Sequence, residues 1–212
     1  MNILVVGASK GTGALCVSSA LAKGHAVTAF ARTPSNLALT HERLVKLKGD
    51  FHDPGSVRAA VPGHDAVIVT ASISSLSELK TTPDYFSRGT RLCIDAMKAS
   101  NVRRLVVLSA QGAGDSRATA NWLLRTFVIG GVLKRAFADH DVQEQLTRGS
   151  GLAWVIARPT RLTNGPARGR YVRSADPAGH VPSSISRADV ADFLVEACET
   201  QTLVDRAWLL GG

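Results

Sequence analysis

Little in this sequence points to a specialised architecture. Only three of its 212 residues are cysteine, and Cys16, Cys93 and Cys198 lie far apart in helix-like segments. Neither a CxxC metal pattern nor a disulfide framework can be read from that spacing, which leaves reduced, buried thiols as the expectation. Aromatic residues make up 5% of the chain. The formal net charge of +8 directs attention to anionic partners, but the basic residues are scattered, and no segment interleaves them with aromatics, so nucleic acid is not an expected partner. No apolar run approaches the roughly 18 residues that a membrane span requires, so no membrane association is expected. The opening "MNILVV" enters a strand without a basic leader or cleavage site, which makes the cytoplasm the expected compartment. Internal repeats and low-complexity tracts are lacking too.

What is present is a rhythm. Short β-branched runs, "NILVVG", "AVTAFA", "LVKLKG", "DAVIVTAS", "RRLVVLSA" and "LAWVIARP", alternate with helix-length segments. Nearly continuous apolar strands separated by helices predict parallel strands covered on both faces. The expected fold is therefore α/β, a doubly wound, mostly parallel Rossmann-type sheet in one domain spanning 1–212. Helices are predicted over 11–23, 54–61, 82–100, 132–149 and 186–199. Gly24 is the stop of the first, and Asp53 with Pro54 starts the second as N-cap and N1. Residues 161–184, rich in Gly, Pro and Arg, lack helical periodicity and are expected to run over the carboxyl edge of the sheet. "RAWLLG" reads as a last short strand.

The stretch "VVGASKGTG" places Gly7, Gly11 and Gly13 between the first strand and the first helix. In that context the glycines suit a phosphate-binding turn. Gly7 permits the turn, Gly11 lets backbone approach a pyrophosphate, and Gly13 lets helix and sheet pack closely. Ser9 and Thr12 can add hydroxyl donors. A triphosphate loop is excluded, because no Gly-Lys-Ser/Thr follows. Where a 2′-hydroxyl-binding site would carry an acidic residue, the second strand ends in Arg32. Together with Thr33, Ser35 and Lys10 it points to the 2′-phosphate of NADP(H).

These residues resemble the atypical short-chain dehydrogenase/reductase group that binds NAD(P)H and contains flavin reductases and NmrA-like proteins. The resemblance rests on "GASKGTG", "ART" at 31–33, "KGDFHDP" at 48–54, "HDAVIVTAS" at 64–72, "RRLVVLSAQG" at 103–112, "GSGLAWVIARPTRLTNGP" at 149–166 and "SISRADVADFL" at 184–194. Lys10 departs from the glycine usual at the middle of the first motif. The resemblance implies that Asp50 and Phe51 border the adenine, and that Thr70, Ala71 and Ser72 line the cofactor. It also implies that Ser109 faces the nicotinamide, with Pro159 and Thr160 closing over the carboxamide side.

The Tyr-x-x-x-Lys pair of alcohol dehydrogenases of this type is missing: Gly89 follows Tyr85 at that spacing and Ala175 follows Tyr171. The expected activity is hydride transfer from NADPH to a planar conjugated acceptor, such as a flavin or quinone, whose reduced form takes its proton from solvent. The candidate catalytic residues are Ser109, as a hydrogen-bond donor, and His140, as a proton donor near neutral pH. Glu144 either orients a neighbour or is solvated. Arg161, Arg168, Arg170 and Arg173 suit an anionic small-molecule substrate. Trp122, Leu123, Leu124, Phe127 and Val128 form an apolar cluster suited to a pocket wall or to core. Two other readings remain open at this point: an NADP(H)-sensing regulator of the NmrA-like type, and a carbonyl reductase or isomerase using Ser109 and His140. A monomer or small homo-oligomer is expected.

Overall fold

The computed structural model describes residues 1–73, 81–117 and 133–212. The apolar cluster Trp122 to Val128 therefore lies outside the described residues. Six strands follow the sequence rhythm: β1 (Asn2–Val6), β2 (Ala26–Ala31), β3 (Leu44–Lys48), β4 (Ala66–Val69), β5 (Arg104–Leu108) and β6 (Ala153–Pro159). All of them pair in parallel, and β10 (Arg206–Gly211) adds a parallel neighbour to β6. The order across the sheet is β3-β2-β1-β4-β5-β6-β10, with β8 (Val172–Ser174) as an antiparallel edge. The chain reverses its winding between β1 and β4, so a crevice opens there at the carboxyl ends of the strands.

Strand periodicity divides the core into two layers. On β1, Ile3 and Val5 face a cluster that includes Cys16 and Val17 of α1 (Gly11–Ala22) and Phe193 and Leu194 of α5 (Arg187–Glu199). Leu4 and Val6 face the opposite cluster, with Val57 of α2 (Pro54–Ala60) and Cys93 and Met97 of α3 (Tyr85–Ala99). Because successive side chains on a strand point to opposite faces, a run with no polar residue is what a sheet covered twice requires. The helix α4 (Lys134–Arg148) packs beside α3.

Local signals place the helix boundaries. Asp53 accepts a hydrogen bond from the Ser56 amide at 2.7 Å, with Pro54 in the first turn of α2. Ser186 caps α5 in the same way, accepting from the Asp189 amide at 2.9 Å. Gly24 ends the first α/β connection with φ +86°, a backbone conformation that a Cβ penalises. The segment 161–184 contains no helix but is more regular than its composition predicts. β7 (Arg161–Thr163) pairs in parallel with β9 (Ser184–Ser186) as a separate two-stranded ribbon, and β8 joins the main sheet. All three cysteines are buried as free thiols. No helix among the described residues is long and apolar enough to cross a membrane.

Candidate functional site

The glycine turn uses each of its glycines differently. Gly7 adopts φ +85°, and a Cβ on it would lie 2.7 Å from the Ala71 backbone, so the β1 turn lies directly against the end of β4. A Cβ on Gly13 would meet the Gly7 carbonyl oxygen at 2.3 Å and the Thr70 hydroxyl at 2.6 Å; this glycine sets how closely α1 approaches the sheet. Gly11, at φ +58°, has no atom of the described residues, beyond its own chain neighbours and helix backbone, within 4 Å of where its Cβ would stand. The N-cap residue Lys10 makes no side-chain capping hydrogen bond to α1, and the first turn of the helix holds no acidic residue. Amide N–H groups and the positive end of the helix dipole thus face an open space that a pyrophosphate fits.

An open groove runs from this turn across the ends of β1, β2 and β4. Gly7, Ser9 and Lys10 line it from the turn, and Arg32 and Thr33 line it from the end of β2. Asp50 and Phe51 enter from the loop after β3, and Ala71 and Ser72 from the loop after β4. Thr12 and Gly13 are buried behind the turn. Thr70 is buried too, and its hydroxyl donates to the Val6 carbonyl at 2.8 Å, so it ties β4 to β1. Among the further lining residues, Asn36, His52 and Tyr85 carried no cofactor role in the sequence reading. The His52 Nε2 lies 2.8 Å from the Tyr85 carbonyl, with the rings edge to face at 4.6 Å. The sequence signal for this wall is Gly89, four residues into α3. A Cβ there would stand 2.2 Å from the Phe51 ring, so the glycine is the slot that admits it.

The carboxyl ends of β5 and β6 carry the other predicted residues. The Ser109 amide donates to Ala157 at 2.8 Å and the Gln111 amide donates to Pro159 at 3.0 Å, which keeps the two strand ends side by side. Ser109 is buried, and its hydroxyl donates to Glu144 Oε1 at 2.7 Å. Toward a ligand, its oxygen is accordingly an acceptor. Glu144, far from solvated, is 1% exposed and also receives Arg158 Nε at 2.9 Å. Arg158 in turn reaches Asp115 at 2.5 Å. Thr160 is buried, and its hydroxyl finds no hydrogen-bond partner among the described residues. An orphaned hydroxyl of this kind is rare inside a protein and fits a polar group supplied from outside the chain.

His140 stands one turn before Glu144 on α4. Its ring stacks on Phe86 with centroids 4.0 Å apart, and Nδ1 lies 2.8 Å from Gln143 Oε1. Gln143 donates its amide to Thr90 at 2.9 Å, so its carbonyl oxygen faces the imidazole and the neutral ring holds its hydrogen on Nδ1. Burial lowers the His140 pKa below its ordinary 6.5, against the opposing effects of the Gln143 hydrogen bond and the charges of Asp139, Glu144 and Asp141. The imidazole is therefore neutral at pH 7 and offers Nε2 as an acceptor. Because the folded state resists protonation, stability is lost as pH falls from the unfolded value near 6.5 toward the lowered native one. Melting at pH 7.5 and at pH 5.5 checks this: His140→Phe, which keeps the stacking, is expected to lose less on acidification than the wild type. An equal loss would place the acid sensitivity elsewhere.

Among sequence relatives, the sterol demethylase protein B of Methylococcus capsulatus is 31% identical over 76% of the chain and 52% of that protein. The uncharacterized sugar epimerase YhfK of Bacillus subtilis is 26% identical over 78% of the chain and 70% of its own length. The chain spans about half or less of the first of these relatives, a 3-beta-hydroxysteroid dehydrogenase of Mycolicibacterium neoaurum being covered over 31%. Among solved structures, a short-chain dehydrogenase/reductase from Veillonella parvula in complex with NADP superposes with TM-score 0.83 at 18% identity, covering 100% of this chain and 94% of that one. An anaerobillin reductase from Escherichia coli O157:H7 superposes with TM-score 0.81 at 25% identity, over 100% and 97% of the two chains. A family profile described as NAD(P)H-binding matches residues 7–201, and with it the glycine turn, the groove and both strand ends, so the chain belongs to the NAD(P)H-binding family.

Proposed function

We propose that the protein is an NADPH-dependent reductase of planar conjugated acceptors. The observation that carries the reading is the character of the groups at the ends of β5 and β6. The Ser109 proton is committed to Glu144, and His140 is neutral with its own hydrogen on Gln143. With no Tyr-x-x-x-Lys pair in the sequence, neither candidate is poised to hand a proton to an alkoxide at neutral pH. Bound NADPH supplies a hydride from the nicotinamide, and an acceptor such as a flavin, quinone or linear tetrapyrrole completes its reduction with a proton from water. The chain's part is to hold the dinucleotide along the groove, orient its reactive end with Ser109 and Thr160, and keep water from the transfer path. That an anaerobillin reductase shares the fold supports this acceptor class. A carbonyl reductase or isomerase relying on His140 as acid is less favoured, because its lowered pKa leaves it unprotonated.

The preference for the 2′-phosphate rests on Arg32, Thr33 and Asn36, which line the groove together with Lys10. Arg32→Asp is expected to lower the NADPH-over-NADH affinity ratio by about tenfold or more, equivalent to about 1.4 kcal/mol. Fluorescence titration with both nucleotides checks it, and an unchanged ratio would remove Arg32 from the phosphate site. For the activity, NADPH oxidation is followed against FMN, riboflavin, biliverdin and several quinones. Turnover with one acceptor class is expected. Tight NADPH binding without turnover on any of them would favour the regulatory reading over the enzymatic one.

A further inference from the structure

The segment that leaves the carboxyl end of β6 is one-sided in charge. Residues 160–187 carry five arginines, Arg161, Arg168, Arg170, Arg173 and Arg187, against a single acid, Asp176. Two of the five are occupied: Arg173 pairs with Glu196 at 2.7 Å, and Arg187 donates to Asn164 at 2.7 Å. Arg161, Arg168 and Arg170 are exposed and have no acidic partner among the described residues.

The chain fixes where these three stand. β7 begins at Arg161, directly after Thr160, and pairs with β9, so Arg161 lies beside Ser184. The backbone amides of Arg168 and Gly169 each donate to the buried carboxylate of Asp189 at 2.9 Å, which clamps this bend onto the first turn of α5. Ser186 donates its hydroxyl to the other oxygen of Asp189 at 2.7 Å, so the clamp is fully bonded. α5 lies along α1, with Cys16 Sγ 4.0 Å from the Ala191 carbonyl and Ser19 bonded to Asp192 at 2.5 Å. Cys16 is about 7.5 Å into α1 and Ala191 about 6 Å into α5 at 1.5 Å per residue, so both helices begin at the same level. The bend that carries Arg168 and Arg170 is thus held on the edge of the sheet where the glycine turn opens. It follows directly from the strand end that bears the orphaned Thr160 hydroxyl.

We propose that Arg161, Arg168 and Arg170 form the acceptor-binding rim of the site and select acceptors whose periphery carries carboxylate or phosphate groups. This rests on the reductase reading above. Guanidinium groups pair with either anion through forked hydrogen bonds, and a conjugated acceptor with charged substituents can lay its flat part against the strand ends while its anions reach the rim. The clamp through Asp189 keeps the rim in place before ligand arrives, which limits the ordering cost of binding. Because the arginines are exposed, the selection is electrostatic and screened by salt.

The test uses two matched pairs, FMN with riboflavin and biliverdin with its dimethyl ester, each offered to the full-length protein with NADPH. The expected result at low ionic strength is a kcat/KM about tenfold higher for the charged member of each pair, falling toward unity in about 0.5 M NaCl. The triple variant Arg161→Ala, Arg168→Ala, Arg170→Ala is expected to lose that preference while binding NADPH as the wild type does. A preference for FMN alone would identify phosphate as the recognised group, and one for biliverdin alone carboxylate. Equal kcat/KM within both pairs, or a preference that survives the triple substitution, overturns the proposal. Failure to reduce any of the four overturns the reductase reading instead. Binding of the same four to the NADP⁺-loaded protein then decides the rim by itself, and equal affinities within both pairs count against it.

Discussion

Replacing Arg158 by Met is expected to lower the melting temperature by roughly 6–20 °C, the equivalent of about 3–5 kcal/mol in a chain of this size. Arg158 is 1% exposed, and it bridges Glu144 on α4 to Asp115 on the loop after β5. Without it, Glu144 stays buried with the Ser109 hydroxyl as a near partner and Arg148 only at 3.8 Å. An uncompensated carboxylate in that position costs far more than the pair contributes. The double variant Arg158→Met, Glu144→Gln removes both charges and is expected to recover much of the loss, which calorimetry on the two singles and the double would measure. If the double variant is as unstable as the sum of the singles, the pair is not acting as a unit. The loop shares in the damage. A Cβ on Gly114 would lie 2.5 Å from Arg158 Nη2 and 2.6 Å from Glu144 Oε2, so this turn rests directly on the ion pair. The Gly114 amide donates to Asp141 at 2.7 Å and Arg117 reaches the same carboxylate, which pins the loop to α4 at further points. Acid acts on the same contact. Burial opposes the Asp115 charge, but the hydrogen bond and charge of Arg158, with Arg148 beyond it, hold its pKa below 3.8. Its stabilising contribution is complete above that value and is lost only as pH falls through the lowered one.

The fold was legible because its signals are local. A strand such as "NILVV" with no polar residue after Asn2 requires cover on both faces, and Ile3 and Leu4 duly feed opposite cores. Asp53, Gly24 and Ser186 mark helix ends through bonds spanning a few residues. The glycine turn was legible for the same reason, since a strand, three glycines and a helix are contiguous. What escaped the sequence depends on contacts between distant segments. Nothing near Asp139 reveals that its carboxylate accepts from the Phe86 amide at 2.6 Å and the Ser87 amide at 3.2 Å, and so caps α3 from another helix. Nothing near Ser109 reveals that Glu144, 35 residues away, accepts its hydroxyl hydrogen bond. The hydroxyl therefore reads as a donor from its type and as an acceptor from its surroundings. The same limit applies to His140, where burial among distant segments lowers the pKa that made it attractive as an acid.

The glycine turn gives the second large effect, and the contrast between two of its residues separates ligand binding from folding. Gly13→Ala would drive a methyl group to 2.3 Å from the Gly7 carbonyl oxygen, a backbone atom that no side-chain rotation can move aside. Relief requires α1 to shift away from β1 and β4, an overpacking cost of about 1–3 kcal/mol. The larger consequence falls on the nucleotide if it binds as proposed, because the N–H groups that would face it are those of the displaced helix. Misplacement by about 1 Å of groups that must converge on one ligand can cost on the order of 100-fold, and NADPH affinity is expected to fall by about that factor. Gly11→Ala is different. Its Cβ meets nothing within 4 Å among the described residues beyond its own helix, so the penalty there is that of φ +58°, about 1 kcal/mol. If a pyrophosphate occupies the space above Gly11, the same methyl group intrudes on the ligand. NADPH binding is then expected to weaken by more than tenfold in a protein whose melting temperature moves by only a few degrees. Titration and melting of both variants distinguish the two cases. Wild-type affinity in Gly11→Ala would mean that the dinucleotide does not cross the mouth of this turn, and the assignment of the groove would have to be redrawn around the end of β2.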